Sequence, residues 1–308
     1  MIKKSPEGEP ALAERIIAVT GATGFIGRSL VLKLLADGRR VRAIVRDATR
    51  ATVVFPPTVE KVDRDLADEE GLTTALAGVQ TIVHLVGIIK GRAADFAAVH
   101  RDLTARLLRA ARRAGSVDLF VYISAQGANA ESKNHYLRTK AEAEAVVRDA
   151  GIPFLILRPT VVLGKGDGFI TPLVRVLRQA PVVPIIGSGL YPLRPVAVQD
   201  LTSLIARAVT KNVRDQLFTV AGPEEVTYAE LVRMLMAVLG LCKPLIRLPL
   251  PLVNMAVRGL ELAVPDPVLT SLQLDMLLRG STGDPGPAAQ TFGLELTPLR
   301  EALEKAIR

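Results

Sequence analysis

The chain has 308 residues, of which 49% are hydrophobic and 4% aromatic, and its formal net charge is +8. This apolar content excludes a globally disordered chain. The absence of Trp, with arginines that are scattered and not clustered, argues against a nucleic-acid-binding protein. A single cysteine excludes an intrachain disulfide, and the three histidines lack a metal-ligand spacing, so we expect no metal site.

The first 14 residues form a polar, proline-containing leader that we expect to be flexible, because it lacks the apolar core of a signal peptide. From residue 15 to 164, β-rich runs alternate with amphipathic segments such as Phe25–Leu35 and Ala94–Ala114. This alternation predicts a parallel sheet with helices on both faces, a doubly wound α/β fold. The predicted strands are Ile16–Thr20, Val41–Arg46, Val59–Asp65, Thr81–Gly87, Leu119–Ala125 and Phe154–Pro159.

The regular alternation ends near residue 164, and Gly and Pro are dense in the next thirty or so residues. Later β-rich pieces are short, at Val182–Ile186 and Gln216–Val220, and a last helix is predicted over Thr297–Ile307. We therefore predict a smaller, discontinuous second lobe over 165–308, able to return strands to the main sheet. No run reaches the roughly 18 apolar residues of a spanning helix, so we expect a soluble, cytoplasmic protein.

The stretch TGATGFIG follows the first predicted strand and opens the first predicted helix. Its glycines, Gly21, Gly24 and Gly27, allow backbone amides at the helix N-terminus to approach a diphosphate closely, where a side chain would hold the ligand away. Strand, glycine motif and helix in this order are the context of a dinucleotide-binding fingerprint. The sequence therefore predicts a bound adenine dinucleotide.

The end of the second strand bears on which dinucleotide is bound. An acidic residue there binds the ribose 2′-hydroxyl of NAD, whereas Arg accommodates the 2′-phosphate of NADP. Arg46 occupies this position, Arg42 lies earlier on the strand, and Asp47 comes one residue later. We expect NADP(H); the alternative is that Asp47 turns inward to bind NAD(H) and that Arg46 is a solvated strand-end charge.

Further landmarks follow in order along nearly the whole chain. They are Asp65-Leu66 after the third strand, HLVG in the fourth, Ser124 after the fifth, YLRTK from Tyr136 to Lys140, and RPTVVLG ending at Gly164. With the glycine motif, this ordered set resembles the short-chain dehydrogenase/reductase superfamily, in its extended and atypical, epimerase/dehydratase-like branches. The phrases HLVG, ISAQGA and YLRTKAEAE are most similar to the nucleotide-binding accessory subunit of mitochondrial complex I and its bacterial relatives.

The resemblance implies a Rossmann-type sheet with a smaller C-terminal substrate lobe. It places the adenine against Asp65 and Leu66, and the ribose and nicotinamide above the fourth-strand segment that ends at Gly87. The expected dinucleotide-binding residues are Gly21, Thr23, Gly24, Phe25, Ile26, Gly27, Arg46, Asp65, Leu66, Leu85, Val86, Gly87, Tyr136, Lys140, Pro159, Thr160 and Val161.

Spacing also indicates a catalytic group. Tyr136 and Lys140 are four residues apart on a predicted helix, so both project from one face, and the ammonium is expected to lower the phenol pKa. Tyr136 is then the acid/base and Ser124 donates to the substrate carbonyl, and the resemblance implies that Lys140 also reaches the nicotinamide ribose. His100 departs from the Asn that extended enzymes often carry there, which puts the proton relay in doubt and leaves His100 as a proton carrier or a packing residue.

Two apolar runs bear on the substrate, Pro181–Ile186 and Leu248–Val257. They could line a cleft for a lipid-like substrate such as a quinone or isoprenoid, or belong to the ordinary core. Alternatively, the stretch from Pro249 to Ala263 could, with Arg258, lie on an anionic bilayer or a partner protein. Peripheral association with the inner face of a membrane or with a respiratory complex is therefore an open expectation, and the oligomeric state is not predicted.

Three functions are consistent with these features. The first is an NADP(H)-dependent oxidoreductase that acts on the carbonyl or alcohol of an apolar small molecule. The second is a non-catalytic NADPH-binding accessory or assembly protein of a respiratory or quinone-related complex. The third is an epimerase or dehydratase, which the apolar second lobe makes less suitable for a sugar nucleotide.

Overall fold

The protein is described by a computed structural model. It describes residues 14–211, 213–265 and 267–307, so the predicted leader lies outside the described residues except for Glu14. Strands β1 to β13 are Ile16–Thr20, Arg40–Val45, Glu60–Asp63, Val79–His84, Leu119–Ile123, Phe154–Pro159, Val162–Leu163, Val183–Ile186, Pro192–Leu193, Val196–Ala197, Gln216–Val220, Val226–Thr227 and Leu245–Leu248.

The helices α1 to α13 alternate with these strands. They are Phe25–Ala36, Ala48–Val54, Glu69–Ala75, Ala93–Phe96, Leu103–Ala114, His135–Arg148, Ile170–Gln179, Val198–Lys211, Tyr228–Val238, Leu250–Ala263, Ser271–Arg279, Gly286–Phe292 and Leu299–Ile307. A π-helical segment, Ala97–Asp102, joins α4 to α5. Among the described residues, no helix has both the length and the apolar content to cross a bilayer.

The central sheet has seven strands in the order β11-β6-β5-β4-β1-β2-β3, all parallel. The strand order reverses between β1 and β4, and loops after both strands reach the same carboxyl edge. In open parallel sheets, ligands bind in the crevice at such a reversal. The predicted doubly wound, Rossmann-type fold is confirmed. Its topology predicts a ligand-binding site at the carboxyl edge of the sheet.

Helices cover both faces of this sheet because the central strands are apolar on both sides. One face packs against α1, α8 and α12, through side chains such as Leu30, Leu204 and Phe292. The other packs against α3, α5 and α6, through Leu72, Leu107 and Val147. Strand β11 and helices α8 and α12 come from the part of the chain beyond residue 165, so this part completes the main sheet and its cover.

The rest of the chain beyond residue 165 packs around a separate core. Helices α7, α9 and α13 enclose buried side chains that include Leu177, Leu231 and Leu303. Three two-stranded pairs, β7 with β10, β9 with β12 and β8 with β13, brace this layer. A small cluster around Val253 and Val257 attaches α10 to its neighbours.

The predicted elements match the structure closely in the main sheet and less closely elsewhere. Strands β1, β6 and β11 have the predicted bounds, whereas β4 ends at His84, three residues before the predicted end. The single helix predicted over Ala94–Ala114 is α4, the π-helical segment and α5 in succession. The π turn was not predicted from the sequence, because a 3.6-residue pattern assumes uninterrupted α-helical hydrogen bonding.

Candidate active site at the carboxyl edge of the sheet

The turn between β1 and α1 depends on two of the motif glycines. Gly21 has a φ of +71°, a left-handed conformation that other residues rarely adopt, and a Cβ there would lie 3.1 Å from the Leu85 backbone. A Cβ on Gly27 would overlap the Gly21 carbonyl and lie 2.6 Å from that of Ala22. These glycines therefore allow α1 to start directly against β1 and beneath the loop that follows β4.

The N-terminus of α1 fits a diphosphate. Its N-cap is Gly24, which has no side chain to accept from the first-turn amides, and that turn contains no acidic residue. A Cβ on Gly24 would lie 3.2 Å from the Gly21 carbonyl oxygen, closer than an ordinary contact. The first-turn amides and the positive end of the helix dipole are therefore available to an anion.

The loops after β2 and β3 hold the residues expected around the adenosine. Arg46 and Asp47 are both exposed. Arg42 is committed elsewhere, because it pairs with Glu60 at 2.8 Å and donates to the Ala75 carbonyl at 2.7 Å. Arg46 is therefore the β2 guanidinium that lies at the carboxyl edge.

The pair expected to contact adenine follows β3. The Asp65 carboxylate accepts from the Ala67 amide at 2.8 Å, which closes a tight turn, and Leu66 is packed in the core. Asp65 is exposed, so it lies at the surface of the same edge as Arg46.

A cavity of about 1130 Å³ opens at this edge, between the sheet and the layer formed by the later part of the chain. The expected site residues that line it are Phe25, Ile26, Leu85, Gly87, Ser124, Tyr136, Lys140, Pro159, Thr160 and Val161. The other expected residues lie on the loops after β1 to β4 at the same edge or, for Gly27, in the first turn of α1; these are Gly21, Thr23, Gly24, Gly27, Arg46, Asp65, Leu66 and Val86. The expected site residues thus lie along one edge of the sheet.

The opposite wall of the cavity is mostly apolar, with Gln273, Ser281 and Thr282 as polar additions. Its side chains come from α7, β8, α9, α11 and the segments beside them, and include Phe169, Pro172, Leu173, Val176, Pro184, Ile186, Leu193, Tyr228, Val268, Leu269, Met276 and Leu277. The charged group that α11 adds, Arg279, is ion-paired with Asp275 at 2.8 Å. Of the two predicted apolar runs, Pro181–Ile186 therefore contributes directly to a ligand cavity.

Tyr136 and Lys140 lie one turn apart on α6, and both line the cavity. The Lys140 side chain is buried; its Nζ donates to the Ile123 carbonyl at 2.8 Å and lies 5.0 Å from the centre of the Tyr122 ring. A Cβ on Gly87 would lie 3.3 Å from Nζ. Because Gly87 has no side chain, a ligand beside the loop after β4 can reach the Lys140 ammonium.

Burial dominates the titration of this pair. It raises the pKa of Tyr136 to about 12 and lowers the pKa of Lys140 to about 8, the latter opposed by the nearby Glu144 carboxylate. The expected lowering of the Tyr136 pKa by Lys140 is therefore wrong for this structure, because withdrawal of the phenol from water outweighs the ammonium. Near neutrality Tyr136 is protonated, which is the form that can donate a proton to a carbonyl oxygen.

Ser124 follows β5 and lines the cavity, but its hydroxyl is engaged. Oγ donates to Glu144 Oε1 at 2.6 Å, and the buried Glu144 carboxylate also receives Nε and Nη2 of Arg158, both at 2.7 Å. A serine hydroxyl has one proton, and here Glu144 accepts it. The expected donation from Ser124 to a substrate carbonyl is therefore wrong for this geometry. Ser124 offers a ligand its acceptor lone pairs.

The π-helical segment turns His100 inward against α6. Its Nδ1 lies 2.9 Å from Thr139 Oγ1, its Nε2 lies 3.1 Å from the Ile88 amide nitrogen, and its ring meets Tyr136 edge-on at 5.5 Å between centroids. Burial, and then the Lys140 ammonium, lower the pKa of His100 to about 3. A neutral imidazole in these contacts fixes the loop after β4 against the helix of Tyr136, which supports the packing alternative for His100.

His84, at the end of β4, is a satisfied core histidine. Its Nδ1 lies 2.6 Å from Thr20 Oγ1 and its Nε2 lies 3.1 Å from Thr104 Oγ1. It is fully buried, and burial followed by the Lys140 charge lowers its pKa to about 3. His84 therefore joins β1, β4 and α5 as an uncharged group.

Sequence reasoning missed a polar link across the cavity. Asn134 caps α6, since its Oδ1 accepts from the Tyr136 amide at 3.1 Å, and its Nδ2 donates to Asp275 Oδ2 at 2.8 Å and to the Leu272 carbonyl at 3.3 Å. The helix of Tyr136 is thereby tied to α11, which lines the opposite wall. An Asn before a helix signals a cap, but nothing in the sequence signals its distant partner.

This geometry agrees with a comparison of the sequence with known families. The sequence profile of a family described as NAD(P)H-binding matches residues 21–175, which is just over half of the chain. The chain belongs to the NAD(P)H-binding family. The matched residues run from the first motif glycine through Tyr136 and Lys140 into α7.

Two individual proteins are similar to this NAD(P)H-binding protein over most of its length. Ceramide reductase of Caulobacter vibrioides is 32% identical, over 78% of this chain and 75% of its own. Mitochondrial NADH dehydrogenase (ubiquinone) 1 alpha subcomplex subunit 9 of Arabidopsis thaliana is 24% identical, over 97% of this chain and 78% of its own. The expected resemblance to the complex I accessory subunit is therefore confirmed.

Solved structures show the same fold. UDP-glucose 4-epimerase from Thermotoga maritima superposes with a TM-score of 0.75 at 20% identity, over 95% of this chain and 97% of its own. At this identity the similarity shows the architecture alone. The expected Rossmann-type architecture with a later layer is therefore shared with an epimerase, and this member of the NAD(P)H-binding family has that layout across nearly the whole chain.

Proposed function

We propose that the protein is an NADP(H)-dependent reductase or dehydrogenase that acts on a carbonyl or alcohol carbon of an apolar substrate. The observation that carries this proposal is the cavity itself, which brings Tyr136 and Lys140 together with an apolar wall from the later part of the chain. A polar pair on one side and an aliphatic wall on the other suit a molecule with one reactive oxygen on a hydrocarbon body. The ceramide reductase relative, named for a lipid substrate, supports this class.

The residues would act as follows when substrate is present. Bound NADP(H) would supply or accept a hydride at its nicotinamide. Tyr136 would donate its phenolic proton to the carbonyl oxygen as negative charge develops there, and would recover it when an alcohol is oxidised. Lys140 keeps two ammonium protons beyond the one given to Ile123, which could hold ribose hydroxyls, and its charge would stabilise the phenolate. Ser124 would accept from a substrate hydroxyl.

The preference for NADP is proposed from Arg46. Replacing Arg46 by Ala should weaken NADPH binding by about tenfold to a hundredfold, because hydrogen bonds to a charged group contribute roughly 1.5–3 kcal/mol, and should leave NADH binding within about twofold. Calorimetric titration with both dinucleotides measures this. Arg40→Ala is the matched control, since Arg40 is an exposed arginine at the opposite end of the same strand. Equal affinity of the unmodified protein for NADPH and NADH would remove the assignment.

A second candidate is a non-catalytic NADPH-binding accessory protein of a respiratory complex. The match to the complex I subunit over 97% of this chain favours it, as does the engagement of the Ser124 proton by Glu144. In this case the bound dinucleotide would stiffen the sheet edge and the cavity would hold a structural lipid. Peripheral attachment to a membrane or to such a complex is compatible with both candidates.

Turnover separates the candidates. The purified protein, incubated with NADPH and a panel of long-chain ketones, aldehydes and isoprenoid quinones, should oxidise NADPH with apolar members of the panel and not convert UDP-sugars. Absorbance at the nicotinamide band follows the reaction, and mass spectrometry identifies the product. NADPH that binds tightly and stays reduced through the whole panel would contradict the reductase and support the accessory protein; conversion of a UDP-sugar would support an epimerase.

A further inference from the structure

Helix α10 is apolar on two faces, and only one of them is covered. Val253 and Val257 are buried in the small cluster beneath the helix. On the outer side Leu252 is 53% exposed, Met255 is 68% exposed and Leu262 is 91% exposed. A helix in water normally keeps one apolar face and turns polar residues outward. The outer face of α10 therefore has the composition of a surface that something covers.

The exposed residues form one continuous stripe. At 3.6 residues per turn, Leu252, Met255, Ala256, Gly259, Leu262 and Ala263 fall within an arc of roughly 120°. The polar residues of the helix, Asn254, Arg258 and Glu261, are confined to a narrower stripe on another side. Beside α10, the exposed Ile246 and Leu248 of β13, together with the exposed Val268, extend the apolar area. We call these exposed residues, with the outer stripe, the α10 face.

The buried side of α10 packs on residues that also form the wall of the cavity. Ile186 and Leu269 pack against the buried side of α10 and also line the cavity. Val268 is 62% exposed and Ile89 is 41% exposed, and both line the cavity as well. These two side chains are therefore at the mouth, where the apolar interior reaches the surface beside α10.

Positive charge accompanies this apolar surface. Arg247 on β13 and Arg258 on α10 are exposed, and Lys90 Nζ donates to the Pro267 carbonyl at 2.7 Å, next to Val268. Glu261 is the acidic residue on α10, and its carboxylate accepts from the Ser271 amide and hydroxyl, each at 2.7 Å. With a net charge of +8 on the whole chain, the local basic groups favour a negatively charged partner.

We propose that the α10 face docks at the headgroup–acyl boundary of an anionic lipid bilayer and presents the cavity mouth to the acyl chains. The proposal rests on the proposed function, because an apolar substrate that resides in the bilayer could then enter without crossing water. An amphipathic surface of this kind binds through buried apolar area together with attraction to anionic headgroups.

The test uses the full chain, sedimented with vesicles of equal parts phosphatidylcholine and phosphatidylglycerol or of phosphatidylcholine alone. The unmodified protein should bind the anionic vesicles and lose that binding as salt is raised. Leu262→Glu should weaken binding by about tenfold, and addition of Met255→Glu should weaken it further. Each change removes an apolar side chain that would be buried in the bilayer when the protein is docked. Val53→Glu is the matched control, since Val53 is 89% exposed on α2 and receives the same charge; it should bind as the unmodified protein does.

Three results would overturn the proposal: no sedimentation with either vesicle, equal weakening by Leu262→Glu and Val53→Glu, or a stable dimer that Leu262→Glu disperses. NADPH affinity, measured on every variant without vesicles, should be unchanged because none of the substituted residues lines the cavity or belongs to the expected dinucleotide-binding set. Failure to bind vesicles with NADPH oxidation intact would remove only the docking. Vesicle binding without any turnover would remove the reductase and leave the docking surface in place.

Discussion

Replacement of Tyr136 by Phe is expected to lower NADPH-dependent carbonyl reduction by about 10²–10⁴-fold and to leave the dinucleotide bound. The change removes one oxygen from a side chain that burial keeps protonated, with a pKa of about 12, and that lies one turn from the Lys140 ammonium. A positioned proton donor contributes a factor of this size to carbonyl reduction. The phenyl ring retains the edge contact with His100, so the fold around it should persist.

Tyr228 supplies the matched control for this experiment. It lines the same cavity, it is buried, and burial raises its pKa to about 12 as well, but it belongs to α9 on the opposite wall. Tyr228→Phe should therefore leave the rate within about threefold, as expected for loss of one hydroxyl outside the reacting group. Steady-state rates with a substrate found in the carbonyl panel, and NADPH titration of both variants, provide the comparison. If Tyr136→Phe kept full activity, or if the two variants lost activity equally, the assigned acid would be wrong.

A steep loss of stability between pH 6.5 and about 5 is the second large effect that we expect. His84 and His100 are fully buried and have pKa values of about 3 in the folded protein, against an ordinary value of 6.5. Below pH 6.5 the unfolded chain binds protons at these positions that the folded chain does not, so the free energy of unfolding falls as the pH falls. The slope is about 1.4 kcal/mol per pH unit for each histidine, or roughly 4 kcal/mol for both by pH 5.

Urea denaturation at a series of pH values measures this slope. His100→Asn removes one titrating group and retains a side chain able to hydrogen-bond the Ile88 backbone, so its slope should be about half that of the unmodified protein. Carboxylates with lowered pKa values, such as Glu69 and Glu230, lose their contribution only below their ordinary value of 4.5 and do not interfere in this range. A flat profile between pH 6.5 and 5 would show that both imidazoles take up protons in the folded protein as they do in the unfolded chain, and half the expected slope would show that one of them does.

Much of the main sheet was predictable because its signals are local. The apolar runs of β1 and β6 and the glycine motif between β1 and α1 each require only neighbouring residues to be interpreted. The carboxyl-edge site followed from the same order, since parallel strands bring their ends together whatever the side chains are. The Tyr136 and Lys140 pair was readable because a four-residue spacing fixes one face of a helix.

The parts that sequence reasoning missed depend on contacts between distant segments. Ser124 donates its proton to Glu144, and Glu144 also accepts from Arg158 on β6. No spacing in the sequence predicts that these three side chains meet. The pKa of Tyr136 is raised because burial withdraws its phenol from water, whereas the spacing rule considered only Lys140. The apolar run Leu248–Val257 was open to a place in the core or in a cleft, but the structure buries Val253 and Val257 and leaves Leu252 and Met255 exposed.

Strand β11 has a consequence for how the protein is made. Its partner β6 ends at Pro159, yet the strand that completes the hydrogen bonding of β6 is not available until residue 220 has been synthesised. Until then β6 is a bare sheet edge, and the flank of α1 that α8 later covers faces water. The nascent chain therefore leaves the ribosome with its glycine motif already synthesised but with one edge of the sheet unpaired. A chaperone that shields this edge would act during that interval.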